Sequence, residues 1–225
     1  IFFMQDNSFA YITNSDSISK CPVNGDGTFG TCSQASNIIN SVRGTIHPAG
    51  DKAFITNFTN DRVIDCDIDG NNDLSGCGDT GVAFGNPDGI TFNLLGTNSY
   101  VVQNDGPVDR CNSDVTTCSN TAIFTFPTTI TLNSAETIAY IVEVAGNIQA
   151  CYIDGAGDLI NCMQTNIAGS AITSLALNEA NDRAFITNSA NNLIISCDVN
   201  GKLFSNCINT GSQLDDPVSI RIRQF

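Results

Sequence analysis

A five-residue phrase recurs five times along this chain of 225 residues and divides it into units of 40 to 46 residues. Each copy reads small, aromatic, aliphatic, threonine or valine, and then a polar residue. The copies are AYITN (10–14), AFITN (53–57), SYVVQ (99–103), AYIVE (139–143) and AFITN (184–188). Aromatic and β-branched residues in this order are typical of a β-strand. We therefore expect the whole chain to be built from one repeated supersecondary unit.

The ten cysteines recur with the same spacing as the phrase and form five couples along the sequence. The couples are Cys21/Cys32, Cys66/Cys77, Cys111/Cys118, Cys151/Cys162 and Cys197/Cys207. An even number of cysteines at regular spacing indicates disulfides, and therefore an oxidising compartment.

A second alternating segment precedes each phrase. Its inward-facing pairs are Ile1/Phe3, Gly44/Ile46, Ile90/Phe92, Ile130/Leu132 and Leu175/Leu177. Each unit then has four short strands, separated by turn residues, and no segment has helical periodicity. Four strands in a unit of this length are typical of a propeller blade. We predict an all-β fold: a single β-propeller over residues 1–225, with five four-stranded blades in repeats of about 1–43, 44–89, 90–129, 130–174 and 175–219.

The repeated phrases also resemble the YVTN-type β-propeller repeats of secreted and surface-layer proteins from archaea and bacteria. The resemblance covers the chain in all five copies. It implies an extracytoplasmic propeller, usually without an assigned enzymatic role. Two features depart from the family: its better-known members have seven blades, and its usual repeat lacks paired cysteines.

Turn residues lie midway between the cysteines of most couples. In four of the five units the midpoint falls on or next to Asp, Asn or Gly, as at Asp69-Gly70. These residue types accept the positive φ angles that tight hairpins need. The two cysteines of a couple would then lie directly opposite each other across the hairpin, close enough for a disulfide. We predict one disulfide within each hairpin; pairing between blades is the alternative.

A sixth copy of the alternating segment closes the sequence, with Pro217 followed by Ile220 and Ile222. One such segment is therefore surplus. The strand at 218–225 is predicted either to close the first blade, with residues 1–5 displaced, or to be donated to another chain while residues 1–5 fill that place.

The few charged residues are mostly acidic: 23 Asp and Glu stand against 9 Lys and Arg, for a net charge of −14. So acidic a chain repels phosphate backbones and anionic membrane surfaces. No run of 18 apolar residues is present, and we expect neither nucleic-acid binding nor membrane insertion. The chain starts at Ile1 without a signal sequence, which indicates a mature or excised chain.

The segment DCDIDGNNDLSGC (65–77) carries part of a calcium-loop spacing. Asp65, Asp67, Asp69 and Gly70 match the D-x-D-x-D-G pattern, but Gly76 stands where the loop normally has a bidentate Glu. The sister turns share the glycine without the full set of ligands. We interpret the segment as a hairpin turn with exposed carboxylates, and we predict no metal, cofactor or catalytic residue.

Several residues depart from the repeat pattern and are candidates for a ligand site at a channel mouth. They are Gln103, Asp105, Asp109 and Arg110 in the third unit and Glu143 in the fourth. His47 is the only histidine and is expected to be structural. Asn57 begins the only N-x-S/T sequon.

Together these features favour a non-enzymatic structural or interaction propeller at the cell surface, in the extracellular space or in the periplasm. It would form part of a surface layer or filament, with protein partners or self-association through strand 218–225. A lectin-like or other ligand-binding propeller is the first alternative, with a glycan as partner. A lactonase or hydrolase-type propeller is the second.

Overall fold

The computed structural model describes residues 1–14, 16–168, 171–210 and 214–222. These ranges contain twenty β-strands in five four-stranded antiparallel sheets, each formed by four consecutive strands. The predicted all-β fold, a five-bladed β-propeller, is confirmed. Within the same ranges, no helix has the length and apolar character needed to cross a lipid bilayer.

The strands are numbered in chain order. Blade one has β1 (Phe2–Phe3), β2 (Phe9–Thr13), β3 (Ile18–Pro22) and β4 (Ser33–Ser36). Blade two has β5 (Ser41–Ile46), β6 (Lys52–Asn57), β7 (Arg62–Ile68) and β8 (Leu74–Asp79). Blade three has β9 (Pro87–Phe92), β10 (Asn98–Gln103), β11 (Pro107–Asn112) and β12 (Cys118–Ile123). Blade four has β13 (Pro127–Leu132), β14 (Ile138–Glu143), β15 (Asn147–Ile153) and β16 (Leu159–Ala168). Blade five has β17 (Ile172–Leu177), β18 (Arg183–Asn188), β19 (Leu193–Asn200) and β20 (Leu203–Asn209).

The cysteine couples form the five predicted disulfides, one in each blade. They are Cys21–Cys32, Cys66–Cys77, Cys111–Cys118, Cys151–Cys162 and Cys197–Cys207, with Cα atoms 4.0–4.1 Å apart. The alternative of pairing between blades is therefore wrong. In blade two, for example, the small residue Ala53 of the repeated phrase lies opposite Cys66 in the neighbouring strand. The phrase and the cysteine couple are thus two parts of one hairpin.

The expected register of the cysteines is wrong in detail in blades two, four and five. In blade four the pairing shifts between Ala150 and Tyr152, so that Cys151 is opposed by two residues, Asn161 and Cys162. The same shift occurs beside Cys77 and beside Cys207. Each is a β-bulge, and its extra residue has a positive φ angle: Gly76, Asn161 or Asn206. The signal was present in the sequence, because glycine or asparagine stands directly before these three cysteines.

Blade one has the simpler arrangement that the sequence predicted for every blade. Lys20 pairs with Ser33, and continuing this register places Cys21 opposite Cys32, which directly precedes β4.

The disulfides connect the interior of each blade to its surface. The first cysteine of every couple is buried, at 2 % exposure or less. Among the second cysteines, Cys118 is half-buried and four are exposed: Cys32, Cys77, Cys162 and Cys207. Each bridge therefore fastens the outermost strand of a blade to a strand held in the core.

The tyrosine and the threonine of the phrase join blade one to blade two, and the threonine also joins blade two to blade three. Tyr11 donates a hydrogen bond to the carbonyl of Asn72, in the third turn of blade two, at 2.8 Å. Thr13 donates to the carbonyl of Val42 in β5 at 3.0 Å. Thr56 donates in the same way to the carbonyl of Asp88 in β9 at 2.9 Å. These contacts explain why the phrase recurs: it supplies both strand propensity and a joint between blades.

Apolar side chains from consecutive blades fill the space between them. One buried cluster joins blades one and two and includes Tyr11, Ile18 and Ile55. A second joins blades two and three around Phe54 and Phe92. A third joins blades four and five; its buried members include Tyr140, Ile148, Leu175 and Phe204.

The first strand of blade one is β1, so residues at the amino end take the place that we assigned first to the C-terminal strand. The predicted inward pair Ile1/Phe3 is wrong in detail, because Phe2 is the buried residue (4 % exposed). Its ring stacks on Tyr11, with centroids 5.2 Å apart. It also lies over Gly44, where a Cβ atom would come within 2.5 Å of the ring. The missing side chain at Gly44 makes room for Phe2.

The C-terminal segment lies beside blade five, and its described residues, 214–222, form no strand. Asp216 donates its backbone N–H to the side chain of Asn192 at 2.9 Å, as Asn86 does to Asp61 before β9 at 3.0 Å. Residues 223–225, which complete the predicted strand 218–225, lie outside the described residues.

Candidate functional site

The carboxylates of the calcium-like segment have separate structural partners. Asp65 accepts from Lys52 at 2.7 Å, and Asp73 accepts from Lys20 at 2.6 Å. Asp69 accepts the backbone N–H groups of Asn71 and Asp73 at 2.8 and 2.9 Å, which lowers the pKa of its carboxyl. These bonds close the hairpin turn, and Lys20 ties that turn to blade one.

No group of three or more His, Cys, Asp and Glu side chains in the described ranges is placed to hold a metal ion. The segment that most resembled a metal site is thus the turn onto which the preceding blade docks.

His47 and Asn57 also have structural partners. The His47 Nε2 atom lies 3.2 Å from the carbonyl of Gly96, and Nδ1 accepts the N–H of Ala49 at 3.1 Å. The ring therefore links the first turns of blades two and three. Asn57 is 3 % exposed and donates its side-chain amide to the carbonyl of Ile39 at 3.0 Å. The amide of the sequon is therefore engaged inside the fold.

The structure places Gln103 and Asp109 together. The buried Gln103 amide donates to the Asp109 carboxylate at 2.8 Å. Desolvation by burial raises the pKa of Asp109; the Gln103 hydrogen bond opposes this shift, and the nearby charge of Asp105 adds to it. Arg110 lies elsewhere: it bonds to the carbonyl of Ala156, in the third turn of blade four. Arg110 thus ties its own blade to the third turn of the next blade, as Lys20 does at blade two.

Glu143 forms the equivalent pair in blade four. Here the residue of the repeated phrase supplies the carboxylate and the next strand supplies the amide, the reverse of Gln103 and Asp109. Gln149 donates its side-chain amide to Glu143 at 3.2 Å. The other carboxylate oxygen of Glu143 accepts the backbone N–H of Thr125 at 2.8 Å. Glu143 is only 3 % exposed. Its charge therefore holds in place the loop that connects β12 to β13.

That loop carries an exposed apolar surface, which we call the loop patch and define as Ile123, Phe126 and Val144. These side chains are 78 %, 56 % and 55 % exposed. Val144 donates its N–H to the carbonyl of Phe126 at 2.9 Å. The Ile123 side chain lies near Gly106, in the turn that follows β10. The patch thus extends from the turn beside Gln103 to the turn beside Glu143.

Phe126 has an unfavourable backbone conformation, with φ at +49°. The equivalent residues just before a first strand are Asn40, Asn86 and Ala171, at +56°, +51° and +62°, so the left-handed backbone belongs to the fold and only the bulk of the side chain is particular to Phe126. Asparagine accepts this left-handed region readily, whereas a bulky residue there is a genuine outlier. Such strain is concentrated at binding and switch sites. The aromatic residue at 126 is therefore a candidate for a functional role.

Sequence reasoning found the three carboxylates of this site, Asp105, Asp109 and Glu143, and missed its apolar part. The signal was present in the repeats: Phe126 occupies the position that carries asparagine at 40 and 86 and alanine at 171. With Asp105 exposed and Asp109 half-buried beside it, the site combines acidic and apolar surface. Its chemistry suits a segment that carries both positive and apolar side chains.

Comparison with known proteins supports the fold. No protein-family model matches the sequence, and no curated protein matches it, so the resemblance to YVTN-type repeats stays a prediction. The chain is similar to solved structures, among them an auxiliary nutrient binding protein from Bacteroides thetaiotaomicron. That likeness has a TM-score of 0.75 at 14% identity and covers 97% of this chain and 62% of that one.

Two further structures give the same result. The periplasmic gluconolactonase of Pseudomonas aeruginosa has a TM-score of 0.70 at 12% identity, over 96% of this chain and 70% of that one. A β-propeller domain from Myceliophteria thermophila has a TM-score of 0.68 at 9% identity, over 98% and 75%. At such low identities, each likeness shows that this chain has a β-propeller fold and nothing finer.

Proposed function

We propose that this chain is a non-enzymatic extracellular interaction module whose copies associate by docking the C-terminal segment of one copy on the loop patch of another. The observation that carries the proposal is the strained, exposed Phe126 within an apolar surface. A bulky residue held at positive φ costs about 1–2 kcal/mol relative to a right-handed conformation. A contribution of the Phe126 side chain to binding would explain why a bulky residue occupies this unfavourable position.

The C-terminal segment supplies the complementary chemistry. Residues 219–225 read SIRIRQF, in which isoleucines alternate with arginines. In an extended segment, alternate side chains face opposite ways. Ile220 and Ile222 therefore face the same way and can contact the loop patch together, while the long arginine side chains can extend around the segment to the carboxylates at the margin of the patch. In a chain with a net charge of −14, this is the main concentration of positive charge near apolar residues.

Side-chain contacts hold the described part of this segment beside blade five. Thr173 donates to the carbonyl of Pro217 at 2.9 Å, and the N–H of Ile220 lies 3.4 Å from the Ser174 hydroxyl. No β-ladder is formed there by residues 214–222. These contacts can therefore be exchanged for contacts on a second copy without disrupting a sheet. Exchange of a segment between identical chains generally costs little free energy for this reason.

The five disulfides support an oxidising compartment for this function. The extracellular space, the cell surface or the periplasm meets that requirement. Repeated head-to-tail docking of tail on patch would produce a filament or layer, because a heterologous contact need not close.

The test is binding of a fluorescently labelled peptide of residues 217–225, PVSIRIRQF, measured by anisotropy. We expect saturable binding that weakens as salt is added, because the contact pairs opposite charges. Ile123→Ser and Phe126→Asn should each weaken it at least tenfold. A matched control is Leu95→Ser, which removes an apolar side chain that is 79% exposed elsewhere.

A peptide with both arginines replaced by glutamine tests the charge requirement. Equal binding of the two peptides, or equal loss in the Leu95→Ser control, would refute the proposal.

Lactone hydrolysis is a second candidate, supported by the gluconolactonase among the similar structures. At this identity the similarity supports a shared fold but not a shared reaction. An assay is therefore needed to test this candidate. Incubation with δ-gluconolactone, followed by pH-indicator measurement of acid release, tests it. Hydrolysis above the spontaneous rate that is retained in Phe126→Asn would favour an enzyme over an interaction module.

A further inference from the structure

Arg43 is a partly buried cation on β5, the first strand of blade two. Its side chain is 18% exposed, and that of its partner Asp88, on β9, is 13% exposed. The Arg43 Nε atom lies 3.2 Å from the Asp88 carboxylate. Burial raises the pKa of Asp88, while the arginine opposes that rise.

The arginine has no charged counterpart in blades four and five. The strand registers align Arg43 with Thr129 in blade four and Ser174 in blade five, because each faces the fourth residue of the repeated phrase. Both of those side chains are small, uncharged and buried. The propeller fold therefore does not require an arginine at this position. A role other than folding would explain its presence.

The backbone around Arg43 is fixed on both sides. The Thr56 hydroxyl accepts the N–H of Arg43 at 3.1 Å and donates to the carbonyl of Asp88 at 2.9 Å. One threonine thus holds the strands of two blades at the point where the ion pair forms. A site on paired strands keeps its geometry better than one on a loop.

The guanidinium of Arg43 has unused donors. Nε faces Asp88, and the two terminal nitrogens have no partner among the residues that the structure describes. Arginine presents its donors as a rigid fork that matches a carboxylate with two parallel hydrogen bonds.

We infer that Arg43, positioned by Asp88 and Thr56, binds a small monocarboxylate through its two terminal nitrogens. Asp88 holds the guanidinium in orientation through Nε, and the ligand carboxylate completes the remaining hydrogen bonds. The site is separate in residues from the loop patch and does not depend on it.

The probe is sodium propionate, followed by the midpoint of thermal unfolding and by calorimetric titration, against sodium chloride at equal ionic strength. A ligand that binds only the folded state raises the midpoint as its concentration exceeds its dissociation constant. We expect a saturable rise with propionate and none with neutral propionamide. Arg43→Lys keeps the charge and loses the fork, so binding should weaken at least tenfold.

Arg62→Met is the matched control, because it removes an exposed arginine that is paired with Asp79 at 2.8 Å. It should leave propionate binding unchanged. Circular dichroism checks that each variant is folded before titration. Binding that survives in folded Arg43→Lys and Arg43→Met, or a midpoint that responds equally to chloride, would overturn the inference.

Discussion

Replacing Phe126 with asparagine should leave the fold at least as stable while weakening association. The left-handed backbone at Phe126 costs about 1–2 kcal/mol for a bulky residue, and asparagine tolerates it at the equivalent positions 40 and 86. Phe126 is 56% exposed, so losing its partial burial costs about 1 kcal/mol. The expected net change in the free energy of unfolding lies between about 0 and 1 kcal/mol in favour of the variant.

Phe29→Asn is the comparison, because Phe29 is similarly exposed at 44% and its φ is not positive. It loses the same type of contact without relief of strain, so it should destabilise by about 1 kcal/mol. Guanidinium unfolding in oxidising buffer, followed by far-UV circular dichroism, measures both variants; the chain has no tryptophan for fluorescence. Equal losses in the two variants would refute the strain argument.

Three further predictions concern the joints of the fold. Replacing Cys66 and Cys77 together with serine should cost about 2–3 kcal/mol, because their disulfide limits the unfolded chain; denaturant unfolding with and without reductant measures it. Gly44→Ala should cost about 1–3 kcal/mol by overpacking against the Phe2 ring, and adding Phe2→Leu should recover part of that loss in a double-mutant cycle. The lowered pKa of Asp69 means that its stabilising effect is complete above its ordinary value of 3.8 and is lost as pH falls through the lower folded-state value. Asp69→Asn should therefore reduce the fall in stability between pH 4 and pH 2 in acid unfolding, and an unchanged acid limb would contradict this reading.

The strands, the blades and the disulfides could be predicted because each depends on a local spacing that repeats. Alternation sets which side chains face inward, and the cysteine spacing sets the hairpin. The inward residue of β1 could not be predicted in this way. Phe2 is buried because Gly44, in another blade, leaves room for its ring, and such a contact between distant residues has no local signal.

The candidate functional residues also fall into two groups, those that the repeat pattern revealed and those that it did not. Asp109 and Glu143 departed from the repeat pattern and lie at the candidate site. Arg110 also departed from it, yet it binds a turn of the next blade, because a long cation can reach either way from one strand position. Ile123 is the last residue of β12 and Val144 lies in a turn, where no periodicity distinguishes a functional apolar residue from an incidental one.

Sedimentation velocity of the full chain over a range of concentrations tests the central claim most directly. The account predicts species larger than the monomer that grow with protein concentration and dissociate as salt is added. It predicts a folded monomer at every concentration both when residues 218–225 are deleted and when Ile123 is changed to serine. Monomeric full-length chain throughout, or assembly that persists without residues 218–225, would contradict it.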